Sequence, residues 1–244
     1  MEKIAIIFAG GVGSRMGAKI PKQFLEYQKK PIIIHTIEAF ENHPEITKIY
    51  IACKKELINE LKGMIKKFGI NKVKGIVPGG ETGQDSIYNG LRAAAKENDG
   101  DSIVLIHDGV RPNITSDLIT RDIESVLKYG TAITCTRSIE TPIISLNGQT
   151  VTEMKPREVS FTAKAPQCFY LKDILEGHKI TRKTNPKYEG IIDSCTLMHK
   201  LGKEVHIVEG NRDNIKVTTP EDFNTLIALS LKETFDYISE ISKQ

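Results

Sequence analysis

Length, composition and charge exclude several classes of protein. The 244 residues, 39% hydrophobic and 27% charged, suffice for one α/β domain with a substantial core. The 34 basic and 31 acidic residues leave a net charge of +3, too small to indicate a nucleic-acid surface. No apolar run reaches the ~18 residues of a membrane-spanning helix, and no signal-peptide pattern opens the chain. We therefore expect a cytoplasmic protein with neither a membrane nor a nucleic-acid partner.

Strand-like runs rich in β-branched residues alternate with helical patterns along the chain. The predicted strands are Ile4–Phe8, Lys48–Cys53, Lys72–Pro78, Ser102–His107, Thr131–Thr136 and Glu204–Val208. The predicted helices are Ile32–Glu41, Glu56–Phe68, Gln84–Asn98 and Ser116–Tyr129. This alternation predicts a Rossmann-like α/β fold, with a mostly parallel sheet and helices on both faces. Because no repeat or low-complexity linker occurs, we expect residues 1–244 to form a single domain.

One segment, residues 137–167, departs from the alternation. Two β-type runs flank Asn147-Gly148, which is a strong hairpin signal, and the next helical pattern starts only at about Leu171. This predicts a β-hairpin arm that protrudes from the α/β body. The arm could cover an edge of the sheet, or it could contact a second subunit, and we favour the second role.

The first predicted strand leads directly into the glycine-rich sequence AGGVGSRMG, residues 9–17. A short apolar strand followed by glycines is typical of a phosphate-binding turn. The chain has no Walker sequence, and Met16 stands where the dinucleotide fingerprint needs its third glycine. In addition, Pro21 interrupts the following segment, and the second strand ends in Lys54 rather than in an acidic residue. These departures argue against a nicotinamide-dependent dehydrogenase.

Two cations, Arg15 and Lys22, accompany the glycines. Glycines let backbone N–H groups approach phosphate oxygens closely, and the two side chains add a guanidinium fork and a point charge. This positive charge suits a triphosphate and a departing pyrophosphate better than it suits a dinucleotide. The alternative is that both side chains are simply solvated.

The four cysteines provide no sign of a disulfide or zinc site. They are widely separated and form no CxxC pair, so we expect buried free thiols in a reducing compartment. They are Cys53, Cys135, Cys168 and Cys195.

The sequence AGGVGSRMG followed by PKQF resembles the signature of the polyol-phosphate cytidylyltransferase family. The family includes enzymes for 2-C-methyl-D-erythritol 4-phosphate and for ribitol 5-phosphate. Further matching strings, in order, are PIIIHTI at 31–37, Gly79-Gly80 with Asp85-Ser86, HDGVRP at 107–112, APQ at 165–167 and DNIKVT at 213–218. The resemblance covers nearly the whole chain. It implies CTP and a small polyol phosphate as substrates, Mg²⁺ as cofactor, and a homodimer formed through the arm.

The resemblance also implies roles for individual residues. The catalytic residues would be Arg15, Lys22 and Lys216. The nucleotide-binding residues would be Ala9, Gly10, Gly11, Gly13, Gly80, Glu81, Ser86, Gly109 and Arg111, of which Gly80, Glu81, Ser86 and the backbone of Gly109 would line the cytosine. The alternative for Asp85-Ser86 is simple capping of a helix. Gly83 stands where the family usually has an arginine, which puts one basic contact in doubt.

Asp108 ends an apolar strand of the predicted sheet, where ligands of open parallel sheets bind. A carboxylate beside a triphosphate is favourable when a cation lies between them, so Asp108 is the candidate Mg²⁺ ligand, with Asp213 as a weaker second one. The alternative is that Asp108 caps a turn near Pro112. Arg111 could pair with Asp108 or stiffen the turn, and we expect His107 to be structural.

Near the C-terminus, Thr219, Pro220 and the acidic residues after them predict the start of a helix. That helix start does not account for Lys216, which the resemblance places on the substrate and nucleotide phosphates.

The resemblance assigns acceptor binding to Thr141 and Arg157, with Arg157 reaching across the dimer interface. The alternative is that Arg157 belongs to an ordinary solvated group with Lys155 and Lys164. Ala165 and Ile192 each replace a threonine of the methylerythritol enzymes, and AGG at 9–11 looks more like the ribitol branch. We therefore favour ribitol 5-phosphate or a similar pentitol phosphate as the acceptor.

Three alternatives stay open. They are a 2-C-methyl-D-erythritol 4-phosphate cytidylyltransferase, an inactive nucleotide-binding module, and a sugar-phosphate transferase that uses another nucleotide. The pathway is also open between cell-wall or capsule polymer synthesis, such as teichoic acid, and isoprenoid precursor synthesis.

Overall fold

The computed structural model of the chain describes residues 1–10 and 20–241, with side chains described up to residue 231. A seven-stranded sheet forms its centre. The strands are β1 (Lys3–Ala9), β4 (Lys48–Cys53), β5 (Val73–Pro78), β6 (Ile103–Asp108), β7 (Thr131–Arg137), β10 (Phe161–Tyr170) and β11 (Ile207–Glu209). They lie in the order β11-β7-β10-β6-β1-β4-β5. The sheet is parallel except for β10, which runs antiparallel to β6 and β7.

Helices cover both faces of this sheet, as predicted. They are α1 (Ile32–Glu41), α2 (Ile58–Lys67), α3 (Gly83–Ala94), α4 (Ser116–Tyr129), α5 (Leu171–Thr184), α6 (Ser194–Lys200) and α7 (Pro220–Ile241). Because side chains alternate along a strand, Ile4 and Ile6 pack with α3, α5 and α6, whereas Ala5 and Ile7 pack with α1, α2 and α4. Among the described helices, none is both long and apolar enough to cross a membrane.

The predicted bounds hold for α1, α4 and β4, and those of the other predicted elements shift. Helix α2 is preceded by a short 3-10 turn at Lys55–Leu57, and α3 ends at Ala94 rather than at Asn98. The last strand begins at Ile207 rather than at Glu204. The four cysteines are free, but the expected burial fails for Cys195, which is only half-buried.

The arm is a hairpin, but it is shorter than predicted. Its two strands are β8 (Ile143–Ile144) and β9 (Glu153–Met154), and Gly148 in the loop between them has a φ of 71°. The predicted range 137–167 is wrong at its end, because β10 returns to the central sheet and pairs Gln167 with β6 and β7. The remaining two strands are β2 (Glu26–Tyr27) and β3 (Lys30–Pro31), which form a small separate ribbon.

Candidate active site

The carboxyl ends of β1 and β6 bring the glycine loop and Asp108 together. The two strands are parallel neighbours, and Phe8 lies opposite Asp108 in their register. Ligands of open α/β sheets bind at this edge, where the chain connections diverge to opposite sides. Ala9 and Gly10 begin the glycine loop at that point. The predicted residues Gly11, Gly13 and Arg15 lie outside the described residues.

Asp108 forms ion pairs with two cations that are distant from each other in sequence. Arg111 Nε donates to Asp108 Oδ2 at 2.8 Å, and Lys216 Nζ lies 2.6 Å from Asp108 Oδ1. Burial alone raises the pKa of Asp108, but Lys216 and Arg111 outweigh burial and hold that pKa below its ordinary value. The cluster therefore carries one excess positive charge, and the side chain of Lys216 is 44% exposed.

A cavity of about 440 Å³ opens in front of this cluster. We call it the nucleotide cavity, after the ligand that the resemblance predicts for its lining residues. It is lined by these predicted site residues: Ala9, Gly10, Lys22, Gly80, Glu81, Ser86, Asp108 and Lys216. Lys54 also lines it, and its position directly after β4, at the carboxyl end of a parallel strand, could have identified it from the sequence.

The loop of residues 79–83 forms one wall of the nucleotide cavity and packs tightly on α3. Ser86 Oγ accepts from Gly80 N at 3.0 Å and donates to the carbonyl of Thr82 at 3.1 Å. A Cβ at Gly10 would lie 2.9 Å from Ser86 Oγ, so a larger residue at position 10 would displace the Ser86 hydroxyl. The helix cap is Thr82, which forms a capping box with Asp85. Ser86 therefore supports the loop rather than capping the helix.

Of the two predicted site residues Lys22 and Gly109, Lys22 lines the nucleotide cavity and Gly109 does not. Lys22 begins a short 3-10 turn, Lys22–Phe24, is only 9% exposed, and lines the nucleotide cavity. The backbone of Gly109 already has protein partners, because its N–H donates to the Phe8 carbonyl at 3.0 Å and its carbonyl accepts from Thr36 Oγ1 at 3.3 Å.

A second cavity of about 280 Å³ shares Phe8, Gly83, Asp108 and Lys216 with the first. We call it the acceptor cavity, because it contains the positions 165 and 192 that the resemblance predicts for the acceptor pocket. Its other lining residues are Gln84, Ile87, Ile106, Arg111, Ala163, Lys164, Ala165, Gln167, Ile192, Asp193 and Ser194. The two positions that lack threonine, Ala165 and Ile192, thus lie in its wall, and Ile192 is 87% exposed.

Polar side chains of the acceptor cavity carry unused hydrogen-bonding capacity. In the described part of the chain, the buried atoms Gln84 Oε1 and Ser194 Oγ have no hydrogen-bond partner. Gln167 Nε2 donates to Asp193 Oδ2 at 3.1 Å, and its Oε1 accepts from Cys195 N at 2.8 Å. The sequence did not identify Gln84, Gln167, Asp193 and Ser194 as site residues, because the segments that meet here are far apart along the chain.

Lys164 is not an ordinary solvated lysine. Its Nζ donates to the carbonyl of Arg212 at 2.9 Å and reaches the carbonyls of Asn211 and Asn214 at 3.4 Å. Burial, together with the nearby Arg111, lowers its pKa. Lys164 therefore ties β10 to the segment that carries Lys216.

His107 is structural, as expected. Its Nε2 bonds to the carbonyl of Arg111 at 3.1 Å. Burial lowers the pKa of His107 to about 4, so its imidazole is neutral at pH 7.

Among the described residues, four predicted site residues line neither cavity within one protomer: Gly109, Thr141, Arg157 and Asp213. Thr141 and Arg157 are exposed on the arm, where Arg157 Nη1 donates only weakly to the carbonyl of Ile139, at 3.4 Å. Asp213 lines a separate cleft with Tyr27 and Pro112. Their assigned roles stay predictions.

Asp108 could hold Mg²⁺ only together with a bound polyphosphate. No described group of three or more acidic, histidine or cysteine side chains could hold a metal by itself. Mg²⁺ commonly takes one carboxylate and completes its coordination with phosphate oxygens and water. Each oxygen of Asp108 accepts one bond and keeps a free lone pair, so the carboxylate fits that role once phosphates offset the surrounding positive charge.

Comparison with known proteins identifies relatives along nearly the full chain. The profile of the family described as "IspD: 2-C-methyl-D-erythritol 4-phosphate cytidylyltransferase" matches residues 3–230. A ribitol-5-phosphate cytidylyltransferase of Vibrio parahaemolyticus is 48% identical over 90% of this chain and 92% of its own length. A protein of the same name from Streptococcus agalactiae serotype V is 46% identical, over 94% and 95% of the two chains.

The methylerythritol branch is also represented among the relatives. A 2-C-methyl-D-erythritol 4-phosphate cytidylyltransferase of Clostridium botulinum strain 657 is 40% identical over 89% of this chain and 92% of its own. The crystal structure of 4-diphosphocytidyl-2C-methyl-D-erythritol synthase from Anaerococcus prevotii aligns with a TM-score of 0.80 and 27% identity, covering 94% and 96% of the two chains. The chain therefore belongs to the 2-C-methyl-D-erythritol 4-phosphate cytidylyltransferase family of nucleotidyltransferases.

Proposed function

We propose that this enzyme transfers the cytidylyl group of CTP to ribitol 5-phosphate, or to a similar pentitol phosphate, to give CDP-ribitol and pyrophosphate. The observation that carries the proposal is the position of Lys216, which lines both the nucleotide cavity and the acceptor cavity. Two polyanions bound in adjoining cavities would meet at this cation. Four relatives named for ribitol 5-phosphate match at 46–48% identity, and four named for methylerythritol phosphate match at 39–40%.

The reaction requires positioning and charge neutralisation rather than a general base. An oxygen of the acceptor phosphate, already anionic, attacks the α-phosphorus of CTP and forms the new P–O bond. The bond from that phosphorus to the bridging oxygen breaks, and its electron pair leaves with pyrophosphate. Lys216 lines both cavities, so the two phosphates would meet beside it. Lys22, and Arg15 by the resemblance, would stabilise the departing charge.

Asp108 is the residue that would hold Mg²⁺, and Asp213 is the weaker candidate for a second contact. When bound, Mg²⁺ supplies charge neutralisation between neighbouring phosphate oxygens. Arg111 holds the carboxylate of Asp108 in place, because it donates to Asp108 Oδ2 at 2.8 Å and to the carbonyl of Asn214 at 2.9 Å.

The acceptor assignment depends on the wall of the acceptor cavity. Ala165 and Ile192 offer no hydroxyl, whereas Gln84 and Ser194, in the same wall, each have a buried oxygen without a hydrogen-bond partner. A site whose polar groups match one polyol discriminates against another that leaves them unpaired. The methylerythritol acceptor stays the second candidate, because the family profile and the aligned crystal structure carry that name.

We further propose a homodimer in which the arm completes the neighbouring subunit's site. Exposed large apolar side chains, each at least 38% exposed, cluster on the arm: Ile139, Ile143, Ile144, Leu146, Val151, Met154 and Val159. Such a cluster on a protruding segment is typical of a protein interface. Thr141 and Arg157, which line neither cavity of their own protomer, would then reach the acceptor of the partner. We place the reaction in the cytoplasm, in keeping with four free thiols.

Pyrophosphate release measured across a panel of nucleotides and acceptors tests the proposal. We expect release with CTP and ribitol 5-phosphate, and a kcat/KM for that acceptor at least ~10-fold above the value for 2-C-methyl-D-erythritol 4-phosphate. The opposite ratio would reassign the acceptor and keep cytidylyl transfer. CTP binding without release for any acceptor would indicate an inactive module, and a preference for UTP would indicate a different transferase.

A further inference from the structure

A cluster of charged and aromatic side chains lies behind the loop of residues 79–83, outside both cavities. It consists of Asp85, Tyr88, His178, Arg182 and Tyr188. We infer that Arg182 is a positioning residue for the nucleotide. It holds Asp85, and Asp85 fixes the loop that walls the nucleotide cavity. The inference rests on the proposed function, because it takes CTP to be the ligand that this loop faces.

The contact between Arg182 and Asp85 joins α5 to the first turn of α3. Arg182 Nη1 donates to Asp85 Oδ1, and the two side chains are 36% and 19% exposed. The second oxygen, Asp85 Oδ2, accepts from Thr82 N at 3.2 Å and from Thr82 Oγ1 at 2.8 Å. One carboxylate thus links Arg182 to the cap of α3. Burial raises the pKa of Asp85, but the hydrogen bonds from Thr82 and Arg182 outweigh burial and leave that pKa below its ordinary value.

Asp85 in turn determines the path of the loop. A Cβ at Gly80 would lie only 2.2 Å from the Cβ of Asp85, so the loop backbone rests directly against this side chain. The N–H of Gly80 also donates to Ser86 Oγ at 3.0 Å. A rotation of Asp85 would also withdraw its carboxylate from Thr82, which follows Gly80 and Glu81 in the loop. The loop residues Gly80 and Glu81, both of which line the nucleotide cavity, would then lose part of their support.

Arg182 is itself held in one orientation before any ligand binds. Its guanidinium lies 5.0 Å from the ring centroid of Tyr88 and 5.7 Å from that of Tyr188. Tyr188 Oη is 2.7 Å from Nδ1 of His178, and burial lowers the pKa of His178 to about 3, so this histidine is neutral at pH 7. A side chain fixed in this way loses little additional freedom when it holds Asp85.

Arg182 has no place in either cavity. It lines an outer cleft with Tyr88 and Glu176, on the far side of the loop. Any effect on CTP must therefore pass through a neighbouring side chain, and Asp85 is the neighbour that bonds to the loop. A merely structural side chain would change stability and turnover generally, whereas a positioning residue for this loop would change the KM for CTP selectively.

Arg182→Ala, Arg182→Lys and the control Arg92→Ala provide the test. Arg92 lies 5.8 Å from the ring centroid of Tyr88, but it is exposed and its described contacts do not include Asp85. We expect Arg182→Ala to raise the KM for CTP about 10-fold and to leave the KM for the acceptor unchanged. Arg182→Lys keeps the positive charge but lacks the planar guanidinium, so we expect it to raise the KM for CTP by less than Arg182→Ala does. Arg92→Ala should behave as wild type.

Hydrogen exchange of the backbone amides of residues 79–83 supplies a readout that needs no activity. We expect faster exchange in Arg182→Ala, the same increase in Asp85→Asn, and no further increase in the double variant. Exchange and CTP KM equal to those of Arg92→Ala would overturn the inference, as would a uniform increase across the whole chain. If wild type releases no pyrophosphate from CTP, the proposed function fails separately, because the exchange measurement still reports whether Arg182 holds the loop.

Discussion

The nucleotide cavity and the arm are stabilised in opposite ways. The cavity is braced by ion pairs between distant segments, Lys216 with Asp108 and Arg182 with Asp85, and the Asp108 carboxylate is nearly buried. The arm has two strands of two residues each, and several of its side-chain contacts are local, such as that of Lys155 with Glu153. Its large apolar side chains are exposed.

The proposed function divides the site along this difference. Charges that stabilise phosphates must be fixed before the reaction, and in our proposal the sheet edge fixes them within one protomer. The arm lacks such support within one protomer, and the proposed homodimer would supply it. We therefore expect mutations in the cavity to affect chemistry, and mutations in the arm to affect acceptor binding and assembly.

The largest effect on turnover should come from a substitution in the nucleotide cavity. Lys22→Ala should lower kcat by roughly 10²-fold or more, because a fixed charge beside the departing pyrophosphate is lost. Lys55→Ala, on an exposed turn near the same edge, is the control. Steady-state kinetics and a thermal melt check both variants. Near-normal kcat in folded Lys22→Ala protein would remove Lys22 from the mechanism.

A smaller and more selective effect should come from the arm. Arg157→Ala should raise the KM for the acceptor by about 10-fold or more, since a charge-assisted contact to phosphate contributes about 1.5–3 kcal/mol. The KM for CTP should change little. Lys155→Ala, whose partner is Glu153 on the same arm, serves as the control. Equal increases in both KM values would contradict a role confined to the acceptor.

The smallest effect concerns the pH dependence of stability, and it originates next to β7, the strand that leads into the arm. Asp122 on α4 is buried and accepts from Thr134 Oγ1 on β7 at 2.9 Å, and burial raises the pKa of Asp122 to about 8. Because the folded pKa exceeds the ordinary value of 3.8, the protonated form favours folding, and stability should fall as pH rises from about 4 to about 8.

Asp122→Asn should remove this pH dependence and raise the free energy of unfolding at pH 8 by about 1–3 kcal/mol. The kcat should stay near that of wild type, because Asp122 lines neither cavity. Asp117→Asn, an exposed position on the same helix, is the control. Denaturant unfolding at several pH values measures this effect. If the free energy of unfolding changed with pH equally in wild type and Asp122→Asn, the raised pKa of Asp122 would be refuted.

The main features of the fold could be predicted from the sequence because they are local. The β-branched runs and helical patterns locate the parallel strands and both layers of helices, and Thr219 caps α7 through Asp222 as expected. Strand β10 was missed because residues up to 167 were assigned to the arm, and a proline such as Pro166 is uncommon in a central strand. The structure accommodates Pro166 at a register shift between Ala163 and Gln167.

The candidate site was predictable to the extent that motifs carry it. The strand ends and glycines indicate where Ala9, Gly10 and Asp108 lie, and the resemblance adds Lys216. The partners of these residues were not predictable, because Arg182 and Lys164 act through contacts with segments that are remote in sequence. Such pairings depend on how the helices pack on the sheet, which no local pattern encodes.

Subunit mixing tests most directly whether cavity and arm belong to different protomers of one site. Lys22→Ala and Arg157→Ala proteins are mixed in equal amounts, and subunit exchange is verified with mass-tagged chains. Half of the dimers are then mixed, and one of their two sites pairs an intact cavity with an intact arm. Activity at low acceptor concentration should recover to about a quarter of wild type. No recovery despite complete exchange would contradict a shared site.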